Sequence, residues 1–200
     1  QPWTYSKERD TFGTLRGEVD ITDNITAWAA AGARRGTESN SVANPTVLNA
    51  AGDTSAFRFD NVRKDEIATG EAGVRFKFNT GSVGHTLTTA ASTYSSKERD
   101  AFAFSGFFGD NLYNHVNVAA PALSPATGSF SDPQVTLRNK FKSVAVADAI
   151  SFFDDRLIAT VGIRRQSIEQ DSFDYVTGAP TTSYESARNT PMAGLLFKLN

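Results

Sequence analysis

Five aromatic residues, Phe102, Phe104, Phe107, Phe108 and Tyr113, fall within the single stretch AFAFSGFFGDNLY. Rings at this density in a loop could close over a ligand or line its entrance, and a loop packing on itself would use the same residues. Arg164 and Arg165 stand together in GIRRQ. Neighbours on a strand point to opposite faces, so one of the two points inward, where a guanidinium suits an anionic ligand. The competing reading is a charge at a strand end.

Other chemistries find little support. His85 and His115 lack nearby ligands at a recognisable metal spacing, so His85 reads as structural and His115 as loop surface. There is no G-x-S-x-G nucleophile elbow and no glycine-rich phosphate loop. Asp154-Asp155 could imitate a catalytic carboxylate pair, but between two apolar runs it reads as a solvated turn. No catalytic residue and no metal ligand is assigned.

A chain of 200 residues with net charge -2 and a sequence pI near 5.7 has no basic footprint for nucleic acid. It has no cysteine, which removes disulfides and thiolate sites. No apolar run approaches the roughly 18 residues of a spanning helix. A mean hydropathy of -0.33 suits a water-soluble protein. It equally suits a membrane barrel, whose strands hide a lipid face in alternation. Gln1-Pro2-Trp3 reads as mid-chain sequence rather than a start.

The elements that would position these residues are strands. Residues 142–168 form two alternating runs joined by a polar corner: Val144, Val146, Ile150 and Phe152 share one face, then Leu157, Ala159, Val161 and Ile163, and Asp148 breaks the apolar face once. Leu15, Val19 and Ile21 alternate with Arg16, Glu18 and Asp20; Val74 and Phe76 alternate with Arg75 and Lys77. Val83, His85, Leu87, Thr89 and Ala91 share a face. Turns are expected at Asp23-Asn24, Asn79 to Ser82 and Asp154-Asp155. Long irregular connections are expected at 34–56, 96–141 and 166–188. Short and long connections alternate, which in an up-and-down sheet collects the short turns at one end and the long loops at the other. The echo of YSKERD at 5–10 in YSSKERD at 94–100 then falls at the long-loop end in both copies, as rim chemistry or coincidence.

Several segments resemble, in consistent order, the mid-barrel part of TonB-dependent ferric-siderophore receptors. LRGEVDITDNITAWAAAG is similar to the strand-turn-strand that follows a leading Trp and Tyr in that family. FNTGSVGHTLTTAASTY is similar to its T-G-x-v-x-H-x-l hairpin, and VAVADAISFFDDRLIATVGIRRQ to its D-x-i-x-f-x-d-r-l hairpin. TPMAGLLFKL is similar to its t-P-x-x-G-l strand, and GDNLYNHVNVAAP to its N-x-Y-n-P external loop, with His115 where proline is common.

The resemblance implies an all-β fold of antiparallel up-and-down strands, part of a transmembrane β-barrel with long external loops and short periplasmic turns. Residues 1–200 would then be a partial barrel, with the plug domain and the remaining strands outside it. It implies a bacterial outer-membrane receptor that binds and imports ferric siderophores and is not an enzyme. No cofactor would be bound directly, because the iron arrives inside the siderophore. The implied partners are the ferric siderophore, outer-membrane lipid and the TonB-ExbB-ExbD system, reached through the plug, with no nucleic acid. Siderophore pockets in that family are aromatic with some basic residues, which makes Phe102, Phe104, Phe107, Phe108, Tyr113, Arg164 and Arg165 the implied siderophore-binding set. The charged faces would line the lumen, and Leu15, Val19, Ile21, Val74, Phe76, Val144, Val146, Leu157 and Val161 would face lipid. The alternative is a secreted or surface-exposed β-sandwich used for binding or adhesion, in which the same aliphatics fill a core between two sheets.

Overall fold

The structure is a computed structural model that describes residues 1–199. Seven strands run in chain order: β1 (Tyr5–Thr22), β2 (Ile25–Val47), β3 (Asp53–Thr80), β4 (Val83–Asn111), β5 (Val135–Phe152), β6 (Leu157–Phe173) and β7 (Pro180–Phe197). Each pairs antiparallel with the next, giving one up-and-down sheet of order β1-β2-β3-β4-β5-β6-β7. No helix occurs among the described residues.

Register fixes what each face carries. One row reads Val19, Ala27, Val74, Thr89, Val146, Ile163, Pro191 across the sheet. The adjacent row, on the opposite face, reads Glu18, Trp28, Gly73, Ala90, Ala145, Arg164, Thr190. The alternation expected at residues 15–21, 74–77 and 144–161 therefore holds, with every aliphatic named for lipid on the first face.

That face has no protein cover in the short-turn half. Leu15 is 78% exposed, Val19 61%, Val144 60% and Val161 49%. A sandwich would bury these residues between two layers. A single sheet with its aliphatics in the open removes the sandwich alternative. Along β5, Arg138, Lys140, Lys142, Val144 and Val146 are exposed, whereas Leu137, Asn139, Phe141, Ser143 and Ala145 are half-buried. Side chains crowd on the inside of a curved sheet, so the polar face is the concave one.

Asp148, the break in the aliphatic face, is held there. Its Oδ2 lies 2.8 Å from His85 Nδ1, and the His85 ring stacks on Phe78 at 4.7 Å between centroids. A carboxylate on an apolar surface needs such a partner. On the concave face, Trp28 lies flat over Gly73, where a Cβ would come within 2.2 Å of the indole. Its Nε1 donates to Glu71 at 2.9 Å, and the Arg75 guanidinium sits 5.6 Å from its ring. Only glycine permits that approach.

The strands outrun the sequence expectation. The connection expected at 34–56 shrinks to 48–52, the one at 96–141 to 112–134, and the one at 166–188 to 174–179. Apart from the phenylalanines of 102–108, these outer stretches are largely polar on both sides, yet each has a neighbour offering a full ladder of hydrogen bonds. Strand preference is set by such context more than by residue type. Short connections of 23–24, 81–82 and 153–156 still alternate with the longer ones. Gly81 and the run Phe153, Asp154 and Asp155 take the left-handed backbone that such tight turns require.

Both SKERD copies lie inside strands at one level, with Asp10, Gly36, Asp65 and Glu98 in a single row. Arg34 bridges Asp10 at 2.7 Å and Asp65 at 3.0 Å, and Arg63 pairs with Glu98 at 3.0 Å. The repeat therefore contributes to a charged belt.

Candidate functional site: an aromatic ladder at the long-loop end

Strand β4 carries Phe102, Phe104, Phe107 and Phe108, all expected in a loop. A bulge decides where their rings go. Phe59 pairs with Phe104 and Phe57 with Phe107, so β4 spends one residue more than β3 over this interval. Positions three apart normally face opposite ways; the extra residue puts Phe104 and Phe107 on the same, concave face and sends Phe108 to the other. Ser105 secures the bulge: its Oγ accepts the backbone N–H of Arg58 at 2.8 Å.

Phe57 and Phe59 of β3 complete the ladder. Centroid separations are 5.8 Å for Phe57–Phe104, 5.7 Å for Phe57–Phe107, 5.1 Å for Phe59–Phe104 and 5.3 Å for Phe102–Phe104. Tyr175, from connection 174–179, meets Phe102 edge-on at 5.4 Å. The outermost rings are open, with Phe107 77% exposed and Phe104 44%. Such a surface offers ring faces and edges to an apolar or planar ligand and has no group suited to bond chemistry.

Of the candidate residues, Phe102, Phe104 and Phe107 come together. Phe108 lies on the opposite face against Trp3, at 6.4 Å. Tyr113 packs on the turn at Gly52, where a Cβ would be 2.5 Å from its ring. Arg164 and Arg165 sit midway along β6, where the sequence suggested an outer strand end. Arg164 does face the concave side, beside Ala145 and, one strand further, Ala90. Phe102 is twelve residues beyond Ala90, about 40 Å along the strand at ~3.3 Å per residue. Arg165 is on the aliphatic side, next to Val144 and 3.4 Å from Asn189. The sequence reading missed Phe57, Phe59 and Tyr175 as ladder members. The signal was FRF at 57–59 opposite FAF at 102–104, readable only once the register is known.

The opposite face at the same height is closed. Connection 112–134 first crosses to the chain start, where Trp3 Nε1 donates to Val118 O at 3.2 Å and Gln1 Oε1 accepts from Val118 N at 2.9 Å. It then continues the sheet edge beyond β5, bridging Ser105 to Leu123 and Phe102 to Thr127. Beneath it lie buried Ser41, Ala56, Ala101 and Ala103. Arg58 holds Asp60 at 2.5 Å and donates to Pro121 O at 3.2 Å. Burial works against ionisation of Asp60, but hydrogen bonds from Arg58 and Ser41 outweigh it and leave its carboxyl below the usual range.

Asp110 clasps the crossing segment. It accepts from Val116 N at 3.1 Å and Asn111 N at 2.9 Å and lies 2.5 Å from His115 Nδ1. Those backbone donors, with His115, lower its pKa. No grouping of His, Asp and Glu suited to a metal ion occurs among the described residues.

The family described as TonB dependent receptor-like, beta-barrel, matches residues 1–200. The ferrichrome receptor FcuA of Yersinia enterocolitica is 28% identical over a 200-residue alignment that covers 99% of this chain and 26% of that protein. The ferric preacinetobactin receptor BauA of Acinetobacter baumannii superposes with a TM-score of 0.85 at 24% identity, over 100% of this chain and 30% of its own. The siderophore receptor PiuA of the same organism gives a TM-score of 0.74 at 18% identity, over 99% of this chain and 31% of its own. The chain thus spans between a quarter and a third of the length of these proteins.

Proposed function

This chain belongs to the TonB-dependent receptor-like β-barrel family, and on that premise we propose that it is a segment of an outer-membrane receptor that binds and imports ferric siderophores. The carrying observation is the division of one sheet into an uncovered aliphatic face and a concave polar face with an aromatic ladder at its long-loop end. In this reading the first face meets lipid and the second lines the lumen. The family is one of receptors and transporters, so binding, not bond chemistry, is the mechanism.

Phe57, Phe59, Phe102, Phe104 and Phe107 present the siderophore-contacting surface of this segment, with Tyr175 at its margin. Arg164 lines the lumen deeper down. The iron travels inside its chelate, so the segment supplies no metal ligand. The plug, the remaining strands and the contact with the TonB-ExbB-ExbD system belong to the rest of the receptor.

The test uses the full-length receptor. Replacing Phe57, Phe104 and Phe107 together by Ala weakens ferric-siderophore binding by at least about tenfold, on the scale of one to a few kcal/mol for lost ring contacts. Replacing Phe108 and Tyr113 leaves the affinity unchanged. Equal affinities for the two variants, at normal receptor levels in the outer membrane, would discard the ladder as the binding surface.

A further inference from the structure

We infer that the ladder selects a ferric chelate carrying a free ammonium group over neutral and anionic chelates of the same core; this rests on the reading of the ladder as the siderophore-contacting surface. The rings themselves favour positive charge, because the face of an aromatic ring is its negative pole. Elsewhere in the chain such rings are taken by the protein's own cations: Lys7 lies 5.2 Å from the Tyr5 ring, Arg58 5.6 Å from Trp3 and Arg138 4.8 Å from Phe173. Among the described residues no guanidinium or ammonium stands over a ladder ring, although Phe104 and Phe107 are open.

Beneath the ladder the concave face is acidic. The row below Phe102, about 6.6 Å along the strand, holds Glu8, Glu38, Arg63 and Asp100. The next holds Asp10, Gly36, Asp65 and Glu98, and Leu137 and Ser172 continue it without charge. Arg63 is committed to Glu98, and Arg34, from the row beneath, to Asp10 and Asp65. Six carboxylates therefore share two guanidiniums. Glu8 and Glu38 stand directly opposite one another, a pairing of like charges that destabilises a sheet. They are met by neutral donors: Ser6 Oγ at 3.4 Å from Glu8, and on Glu38 the side-chain amides of Asn40 and, at 3.3 Å, Asn61.

Asp10 and Asp65 converge over Gly36, where a Cβ would come within 2.9 Å of one carboxylate and 2.5 Å of the other. Asp65 is only 8% exposed, and its Oδ2 accepts no hydrogen bond even though Arg34 Nη1 lies 3.0 Å away. A buried carboxylate oxygen in that state is an open acceptor for a further N–H. An ammonium supplies three donors and one positive charge, which is what the belt lacks. A chelate resting its apolar body on Phe57, Phe104 and Phe107 brings such a group within reach of Glu38 and Asp100. An anionic chelate on the same rings meets the belt's net negative charge instead, and like charges brought together cost affinity.

The experiment measures affinity by fluorescence titration of the detergent-solubilised full-length receptor. The probes are one ferric trihydroxamate in three forms: with a free ammonium arm, with that amine acetylated and neutral, and with it succinylated and anionic. The ammonium form binds about tenfold tighter than the acetylated one, and the succinylated form binds weakest. The preference shrinks between about 0.1 and 1 M salt, as the Debye length falls from roughly 10 to 3 Å. E8Q/E38Q cuts it to about twofold, the share left to the rings alone. E8D/E38D, which keeps the charge, retains it. A merely structural role for these acids changes all three affinities together and leaves the preference intact in E8Q/E38Q, which overturns the inference. Equal binding of the ammonium and acetylated forms, or binding of none of the three, overturns it as well. Affinities that all survive replacement of Phe57, Phe104 and Phe107 by Ala instead discard the ladder reading beneath it.

Discussion

The two halves of strands β2 to β4 have the same backbone and opposite surroundings. In the short-turn half the aliphatic face is bare: Leu15, Val19 and Val144 are more than half exposed. In the long-loop half the continuation of that face is polar and lies under residues 1–3 and 112–124, around Arg58, Asp60 and Ser41. Apart from Trp28 on the concave face of the short-turn half, the buried hydrophobic residues, Ala56, Ala101 and Ala103, are gathered there. A period-two apolar pattern therefore marks a strand with one apolar neighbour without saying what that neighbour is. Here protein covers the polar half and leaves the apolar half open, the reverse of a soluble core.

The sharpest way to break this contrast is to place a charge on each face of the apolar half. In the full-length receptor refolded into lipid vesicles, Val146→Arg lowers stability to urea by about 2–4 kcal/mol, the cost of a guanidinium on the lipid face. Its neighbour Ala145→Arg, on the concave face, costs no more than about 1 kcal/mol, the repulsion from Arg164 directly opposite included. Equal costs would mean that the aliphatic face does not meet lipid.

That half was legible because its contrast is local. Leu15 to Ile21 and Val144 to Ile163 announce their faces residue by residue. The outer half was not, because stretches such as Thr37, Glu38, Ser39 and Asn40 carry no apolar alternation and read as a loop, although they pair with residues 6–9 of β1. The aromatic site was half legible. Phe102 and Phe104 follow from their spacing, but Phe107 joins them and Phe108 leaves them through a bulge held by Arg58 from another strand. That one of Arg164 and Arg165 points inward followed from alternation. Their height did not, because it depends on where β6 ends.

A second, smaller test asks whether the bare half holds any interaction of the kind that dominates the covered half. His85 and Asp148 are such a pair, set on the aliphatic face. His85→Leu leaves the carboxylate without its partner and costs about 1–3 kcal/mol by the same urea measurement. Adding Asp148→Leu recovers most of that loss, because the orphaned polar group is gone. Strictly additive losses would show that the pair is uncoupled.

The smallest effect belongs to the covered half and to acid. The Asp110 carboxylate holds the crossing segment through Val116 N, Asn111 N and His115, and these bonds set its pKa below the usual 3.8. A depressed carboxyl stabilises the folded form fully above that usual value and loses the contribution as pH falls through the lower, folded one. The clasp therefore loosens only below about pH 4. Hydrogen exchange at Val116 and Val118, corrected for its intrinsic pH dependence, quickens there, while exchange across the aliphatic band stays constant. Asp110→Asn cannot ionise, so the same amides exchange alike on both sides of that pH. If they quicken in the variant as they do in the native chain, another group controls the crossing, and the difference between the halves lies in their cover and not in this charge.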